Sequence, residues 1–321
     1  MKCVMMVTES CNLRCKYCYI RAGEGNAPPV STQHICQMID LLDTTGIKKL
    51  IIGGGEPLVR ADIFDILDNA TARMPTHLLT NGTLLNEKTA QKLALLGIDG
   101  VSISLDAPAS KIHDELRDGS FNAVINGIKR GVKAGLDVDI GACVTAKNVG
   151  YALDLIRFAE NLGVTSITFE GLNPVGRGKD CANLALSAEQ TDTFLQRIAE
   201  ITHDITPSVK IIMFYPQWVR WSKDARGCEV GKSFFGLRPN GDMLPCTNVP
   251  ITLGNILEDD FSDIWNCELM NNLRTTRNGG CNTCHYREQC GGCRSRAYAA
   301  GDIFGSDPTC SLAQEGGREV K

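Results

Sequence analysis

Long apolar runs are missing from this sequence: nowhere do roughly 18 consecutive apolar residues occur, so no membrane-spanning helix is expected. The amino terminus, MKCVMMV, has one lysine and a short apolar run that meets polar Thr8 to Ser10. It has neither the long apolar region nor the small-residue cleavage site of a secretory signal. Neither acidic nor basic residues dominate, the net being −4 over 321 residues, which argues against a general binder of nucleic acid or of membrane surfaces. Repeats, low-complexity tracts and motifs for haem or flavin are absent. The five histidines, His34, His77, His113, His203 and His285, form no zinc or catalytic-triad pattern. A cytoplasmic chain is expected, with no nucleic-acid or membrane partner. Its 43% hydrophobic content suffices for one large core or two domains without covalent staples.

Cysteine, by contrast, is abundant, with 15 residues. In a reducing compartment such thiols serve as metal ligands, redox groups or inert core residues. Strand-like runs alternate with helix-length segments: VMMV (4–7), KLIIGGGEP (49–57), HLLTNG (77–82), GVSISLD (100–106), DVDIGACV (137–144) and TSITFEG (165–171). Between them lie amphipathic stretches such as STQHICQMIDLLDTTG, with Ser31 as N-cap and several closing glycines. Six such units predict an α/β fold with right-handed crossovers, a parallel sheet and chemistry at the carboxyl ends of the strands. A further strand, VKIIMFY (209–215), follows, and beyond about residue 225 cysteine, glycine and proline dominate. The expected domains are a core over 1–205, a connecting strand and linker over 206–227, a cysteine-rich module over 228–312 and a disordered tail over 313–321.

Cys11, Cys15 and Cys18 have the spacing C-x3-C-x2-C in a loop after the first strand. Three thiolates leave a metal centre one position for another ligand. A structural zinc completed by a distant side chain is the alternative reading. This loop, followed one βα unit later by GGGEP (53–57), resembles the radical S-adenosylmethionine superfamily. The resemblance implies a partial (β/α)6 TIM-like barrel in which Cys11, Cys15 and Cys18 hold a four-iron, four-sulfur cluster. That cluster binds S-adenosylmethionine and cleaves it to methionine and a 5′-deoxyadenosyl radical. By the same resemblance, Gly54, Gly55 and Glu56 receive the ligand's ammonium, the glycines permitting close approach. Tyr17 would lie against the adenine, Ser104 and Asp106 would meet the ribose, and Lys147 in VTAKN would approach the carboxylate. Ser104 and Asp106 could instead cap the next loop, and Lys147 could be a solvated surface residue. His113 and Arg117 fall in a segment that resembles the family's active-site mouth, with helix capping and a salt bridge as the alternative reading. Arg177 either meets an anionic substrate group or braces its loop.

Downstream, Cys228-x12-Gly241-x4-Cys246 is followed by Cys281-x2-Cys284-x5-Cys290-x2-Cys293-x16-Cys310. Seven thiols exceed what one metal centre uses, so two sites are implied, zinc ribbons being the plain alternative. The layout resembles the SPASM extension of the same superfamily. By that resemblance Cys228, Cys246 and Cys293 hold one auxiliary cluster and Cys281, Cys284, Cys290 and Cys310 another, making three four-iron clusters in all. The family pattern ends C-x3-C, and QCGGC departs from it, which bears on Cys293. The fourth position of the first auxiliary cluster is left open, with Cys267, another side chain, water or substrate as candidates. Cys3, Cys36 and Cys143 read as core residues, while Cys181 lies in a loop that could face the active site.

Auxiliary clusters give a route for oxidising a substrate radical. The resemblance therefore implies an oxidoreductase acting on a peptide or protein side chain, by cross-linking, decarboxylation or desaturation. A tetrapyrrole side chain is the alternative substrate, and the chain's start close to the first strand leaves no room for a peptide-recognition domain ahead of it. A reducing donor such as flavodoxin or ferredoxin is the implied partner. From another class, the chain could be a non-enzymatic iron-sulfur or zinc scaffold.

Overall fold

The computed structural model describes residues 1–25, 30–204 and 207–314. In chain order the core comprises β1 (Lys2–Met6), α1 (Thr32–Thr44), β2 (Lys49–Gly53), α2 (Ile63–Thr71), β3 (Thr76–Thr80) and α3 (Glu87–Leu95). It continues with β4 (Gly100–Ser104), α4 (Ser110–Leu116), α5 (Phe121–Lys133), β5 (Val138–Val144), α6 (Ala152–Leu162), β6 (Ser166–Gly171), α7 (Ala188–Asp204) and β7 (Lys210–Phe214). The remainder holds β8 (Phe234–Leu237), β9 (Asp242–Leu244), β10 (Gly254–Asn255), α8 (Phe261–Trp265) and α9 (Glu268–Thr275). Four short helices close it: α10 (Gly280–Thr283), α11 (Arg287–Cys290), α12 (Arg294–Ala299) and α13 (Ser311–Gln314).

Local chemistry explains the helix ends. Ser31 accepts the His34 amide and Asn86 the Thr89 amide, satisfying donors that a helix start leaves free, and Gly163 closes α6 at φ 72°. The apolar positions of each strand alternate. Cys3, Met5 and Val7, then Leu50 and Ile52, Val101 and Ile103, Val138 and Ile140, and Ile167 and Phe169 all face one core shared with helical residues such as Ile39, Leu67 and Leu195. Burying each of these aliphatic side chains contributes about 1.5–3 kcal/mol.

Strands β1 to β7 pair in sequence order, each parallel to the last. The opposite face of the sheet is buried as well, at Met6, Asp139 and Thr168, so the sheet curls round them and encloses a lumen. Its floor is polar. Asp139 accepts from Ser102 (2.7 Å), Ser166 (2.7 Å) and Thr168 (3.0 Å), and His77 Nε2 reaches Ser102 Oγ at 2.9 Å.

Two placements differ from the sequence-based reading. The stretch expected as a connecting strand, 209–215, supplies β7, which continues the parallel sheet beside β6 because its Val209 and Met213 reach the common core. On the other edge β8 pairs parallel with β1, Lys2 against Phe234 and Met5 against Leu237, and carries β9 and β10 antiparallel beside it. The cysteine-rich segment therefore shares one ten-stranded sheet with the core. Of the expected tail, Ala313 and Gln314 belong to α13, and 315–321 lie outside the described residues. Among the described residues no helix is long and apolar enough to cross a membrane.

Candidate active site

The loop carrying Cys11, Cys15 and Cys18 leaves the carboxyl end of β1 and is pinned from three sides. Gly55 N donates to Thr8 O (2.8 Å) and Glu56 N to Ser10 O (2.9 Å), fixing it to the end of β2. Lys16 N donates to Leu116 O (3.0 Å) at the end of α4. Arg177 Nε donates to Cys15 O (2.8 Å), its Nη1 to Ala22 O (3.1 Å) and Glu24 (2.7 Å), and its amide to Cys18 O (2.9 Å). Arg177 thus braces the loop.

The glycines of GGGEP serve this contact. A Cβ on Gly54, at φ 132°, would stand 2.4 Å from Thr8 O, and one on Gly55 would stand 2.2 Å from Ser10 O. Backbone lies on both sides and cannot yield as a flexible side chain would. Gly55→Ala is expected to destabilise the protein by about 1–3 kcal/mol through overpacking. A lowered thermal midpoint and reduced iron uptake at this loop check it. Glu56 is fully buried; its Oε1 accepts from Leu58 N (3.0 Å) and Thr80 Oγ1 (2.7 Å), and its Oε2 from Asn81 N (2.6 Å). Burial pushes its carboxyl up against these three bonds. Its side chain ties β2 to β3, leaving the backbone of the motif as the part that faces the loop.

Asp106 is likewise internal. Its Oδ2 accepts from Tyr17 and from Arg117 Nε (2.8 Å), its Oδ1 accepts from Cys143 N (3.0 Å), and its side chain is fully buried. Both oxygens are engaged, so the ribose contact assigned to Asp106 is not open to it, whereas Ser104 at the end of β4 is half-buried. Tyr17 is turned by the same bond, with the Arg117 guanidinium 5.2 Å from its ring centre. Lys147 pairs with Glu115, which Lys16 also approaches at 3.5 Å, and this cluster stands at the rim. His113 is buried between Asp106 N (3.3 Å) and Ser120 Oγ (2.9 Å); burial lowers its pKa to about 4, which makes it a neutral structural residue.

One lumen residue was absent from the sequence-based set. Glu170, near the end of β6, is exposed, and its register partners are Cys143 on β5 and Phe214 on β7, the latter 62% exposed. Its sequence signal, an acid at the carboxyl end of a parallel strand on the face opposite Ile167 and Phe169, is one that a solvated position shares.

The second cysteine field separates into two sets. Cys281, Cys284, Cys290 and Cys310 line one small cavity together with Gln217 and Tyr286. Cys246 is pushed up to about 12 by burial, the Asn248 amide opposing and the Cys293 and Cys228 thiols adding, which makes Cys228, Cys246 and Cys293 neighbours. The departure QCGGC has a backbone explanation. Gly291 and Gly292 both adopt positive φ, 68° and 60°, which sends Cys290 at the end of α11 to one set and Cys293 at the start of α12 to the other. Cys267, at the start of α9, lines a separate cleft with Leu253, Glu268 and Phe304.

Amides are directed at the sulfurs of several of these cysteines. Leu13 N donates to Cys11 Sγ (3.4 Å) and Ala22 N to Cys18 Sγ (3.3 Å), and the Asn81 amide lies 3.9 Å from Cys11 Sγ. The amides of Gly292, Arg296 and Ala313 face Cys290, Cys293 and Cys310. Buried Cys3 and Cys143 receive no such bond, and Cys181 instead donates to Lys16 O (3.5 Å). Hydrogen bonds to sulfur stabilise thiolates and tune iron-sulfur centres. Among the described residues no three ligating side chains converge on a point that could hold a single ion. Four sulfur donors lining one cavity, with amides directed at two of them, are a donor set that fits an iron-sulfur cluster.

A model of the radical SAM superfamily matches residues 5–174, and one of the SPASM iron-sulfur cluster-binding domain matches residues 228–294. The AdoMet-dependent heme synthase of Oleidesulfovibrio alaskensis is 30% identical over 332 residues, covering 95% of this chain and 85% of its own. The mycofactocin maturase MftC of Mycobacterium ulcerans is 30% identical over 334 residues, covering 96% and 89%. Among solved structures, Streptococcus suis SuiB bound to S-adenosylmethionine superposes with TM-score 0.79 at 19% identity over 98% of this chain and 77% of that one, a likeness of fold.

Proposed function

The chain belongs to the radical S-adenosylmethionine superfamily and carries its SPASM iron-sulfur extension, and from that premise we propose that it oxidises a peptide or protein side chain held in the lumen of its partial barrel. Cys11, Cys15 and Cys18 would hold the cluster that meets S-adenosylmethionine. Cys228, Cys246 and Cys293 would hold a second, and Cys281, Cys284, Cys290 and Cys310 a third. When bound, the first supplies the electron that splits the sulfonium and releases a 5′-deoxyadenosyl radical. The chain's own residues position and exclude. Arg177 and the Gly54–Gly55 backbone hold the cysteine loop. The Tyr17–Asp106–Arg117 tie fixes one wall of the lumen, and the Asp139 network closes its floor. Glu170 and Phe214 present a polar and an apolar surface to the substrate.

The observation that carries the peptide reading is the pairing of the arginines around the lumen. Arg117 is bound to Asp106, Arg177 to Glu24 and Arg296 to Asp307, while the lumen itself presents the acid Glu170. A substrate bearing several carboxylates gains little from such a wall, whereas a neutral or cationic side chain gains a hydrogen bond. The second reading, a tetrapyrrole side chain, is favoured by the relatives named as heme synthases, which match this chain nearly end to end. Electrons would come from a flavodoxin or ferredoxin.

The test is anaerobic reconstitution with iron and sulfide, followed by dithionite and S-adenosylmethionine. Formation of 5′-deoxyadenosine is the expected result, and its absence overturns the reading. Products from a peptide encoded beside the gene, weighed by mass spectrometry, are compared with Soret shifts of an iron porphyrin bearing propionates. Glu170→Gln is expected to keep 5′-deoxyadenosine formation while lowering modified product about 10–100-fold, the range for one lost hydrogen bond to a charged group.

A further inference from the structure

Burying a cation without a counter-charge costs several kcal/mol. Arg294 is fully buried and Arg277 is 6% exposed, and among the described residues neither has a carboxylate partner. Arg277 donates from Nε to Gly291 O (2.8 Å) and from Nη1 to Leu273 O (2.9 Å). Arg294 donates from Nε to Gly292 O (3.2 Å) and from Nη1 to Ile303 O (2.8 Å) and Gly305 O (2.9 Å). Its Nη2 is buried with no partner. Neighbouring carboxylates are committed elsewhere: Asp302 accepts from Asn278 (2.9 Å) and Phe304 N (2.9 Å), and Asp307 is bound by Arg296.

Both guanidiniums stand beside the four-cysteine cavity. A Cβ built on Gly292, which lines that cavity, would lie 2.7 Å from Arg294 Nη2 and 3.1 Å from Cys281 Sγ. A Cβ on Gly291 would lie 3.0 Å from an Arg277 Nη2. The free N–H of Arg294 and the Cys281 sulfur thus flank one spot. Carbonyls alone hold these side chains in place, and the Asp302 charge reaches Arg294 only across space, with no carboxylate bonded to either guanidinium among the described residues. The missing partner is an anion in the cavity, and a thiolate-bound iron-sulfur cluster is such an anion.

We infer that Arg294 and Arg277 are positioning residues for the cluster of Cys281, Cys284, Cys290 and Cys310, offsetting its negative charge and raising its reduction potential, Arg294 through an Nη2–H bond to sulfur. The inference rests on the proposed cluster in this cavity. Positive charge and N–H donation both favour the reduced, more negative state. The arrangement makes this site an electron acceptor.

The test uses the full chain, reconstituted anaerobically. Iron loss in Cys310→Ala establishes the cluster; iron retained there sinks the reading of the cavity and not merely the role of the arginines. With the cluster established, redox titrations followed by electron paramagnetic resonance compare wild type, Arg294→Met and Arg294→Lys. The expected midpoint for Arg294→Met falls by about 59 mV, a tenfold smaller reduced fraction at fixed potential, and Arg294→Lys recovers part of it. An unchanged midpoint overturns the inference. Wild-type protein labelled with [15N]arginine needs no variant, so it decides the matter even where a substitution prevents folding. A nitrogen hyperfine coupling to the reduced cluster is expected, and its absence overturns the proposed bond.

Discussion

Cys15→Ala is expected to lower cleavage of S-adenosylmethionine by more than about 100-fold, beyond the range typical of outer-partner substitutions at metal centres. The loop should survive the change, because Arg177 holds the carbonyl of residue 15 and not its sulfur. Burial raises the Cys15 thiol to about 11, with Arg117 opposing, so in the metal-free chain it carries its proton at neutral pH. Metal binding must therefore release that proton, and uptake of iron at this loop should quicken with rising pH. Counting 5′-deoxyadenosine and iron together checks the prediction: cleavage disappears while the seven downstream thiols keep their iron. Cys36→Ala is the control, since Cys36 is a half-buried helical residue away from every cysteine set. Cleavage retained in Cys15→Ala would refute the assignment of the loop.

Asp307→Ala is expected to be the most destabilising single change in the carboxyl-terminal module, at about 3–5 kcal/mol, because it strands the Arg296 guanidinium in a buried site. Asp307 accepts from Arg296 Nε (3.0 Å) and Nη2 (2.9 Å), Cys293 N (2.8 Å), Gln217 Nε2 (3.1 Å) and Thr309 N (3.1 Å). One carboxylate thereby joins the segment after β7, the start of α12 and the approach to Cys310. Burial alone would raise its pKa, and the Arg296 charge and hydrogen bonds outweigh that, leaving it depressed. A carboxyl depressed on folding stabilises the protein above its unfolded pKa, near 3.9, and the contribution fades as pH falls through the folded value. Urea midpoints of the metal-free chain should therefore differ between wild type and Asp307→Ala by a constant amount above about pH 5 and converge in acid. A difference that persists undiminished in strong acid would contradict the charge argument.

Much of the core was legible because its signals are local. The alternation of strands and helices, the Ser31 cap and the grouping of cysteines each depend on residues a few positions apart. Glu56 and Asp106 show where that reading stops. A polar residue at a strand end has the same sequence signature whether it meets a ligand or a neighbouring backbone, and both are consumed by internal bonds to Thr80, Asn81, Arg117 and Cys143. Glu170 escaped notice because a lone acid in TSITFEG looks like a solvated position until the sheet closes around it. Arg294 has no sequence signal of its own, and only its bonds to the carbonyls of Ile303 and Gly305 reveal the buried charge. The pairing of Phe234–Leu237 with β1 lies too far along the chain for any periodicity to encode.

That pairing orders events during synthesis. The first strand to leave the ribosome keeps one hydrogen-bonding edge bare until Phe234 to Leu237 emerge, so an aggregation-prone nascent intermediate precedes closure. Truncation before β8 would make that transient edge permanent, and a fragment comprising the first seven strands should depend on chaperones or precipitate.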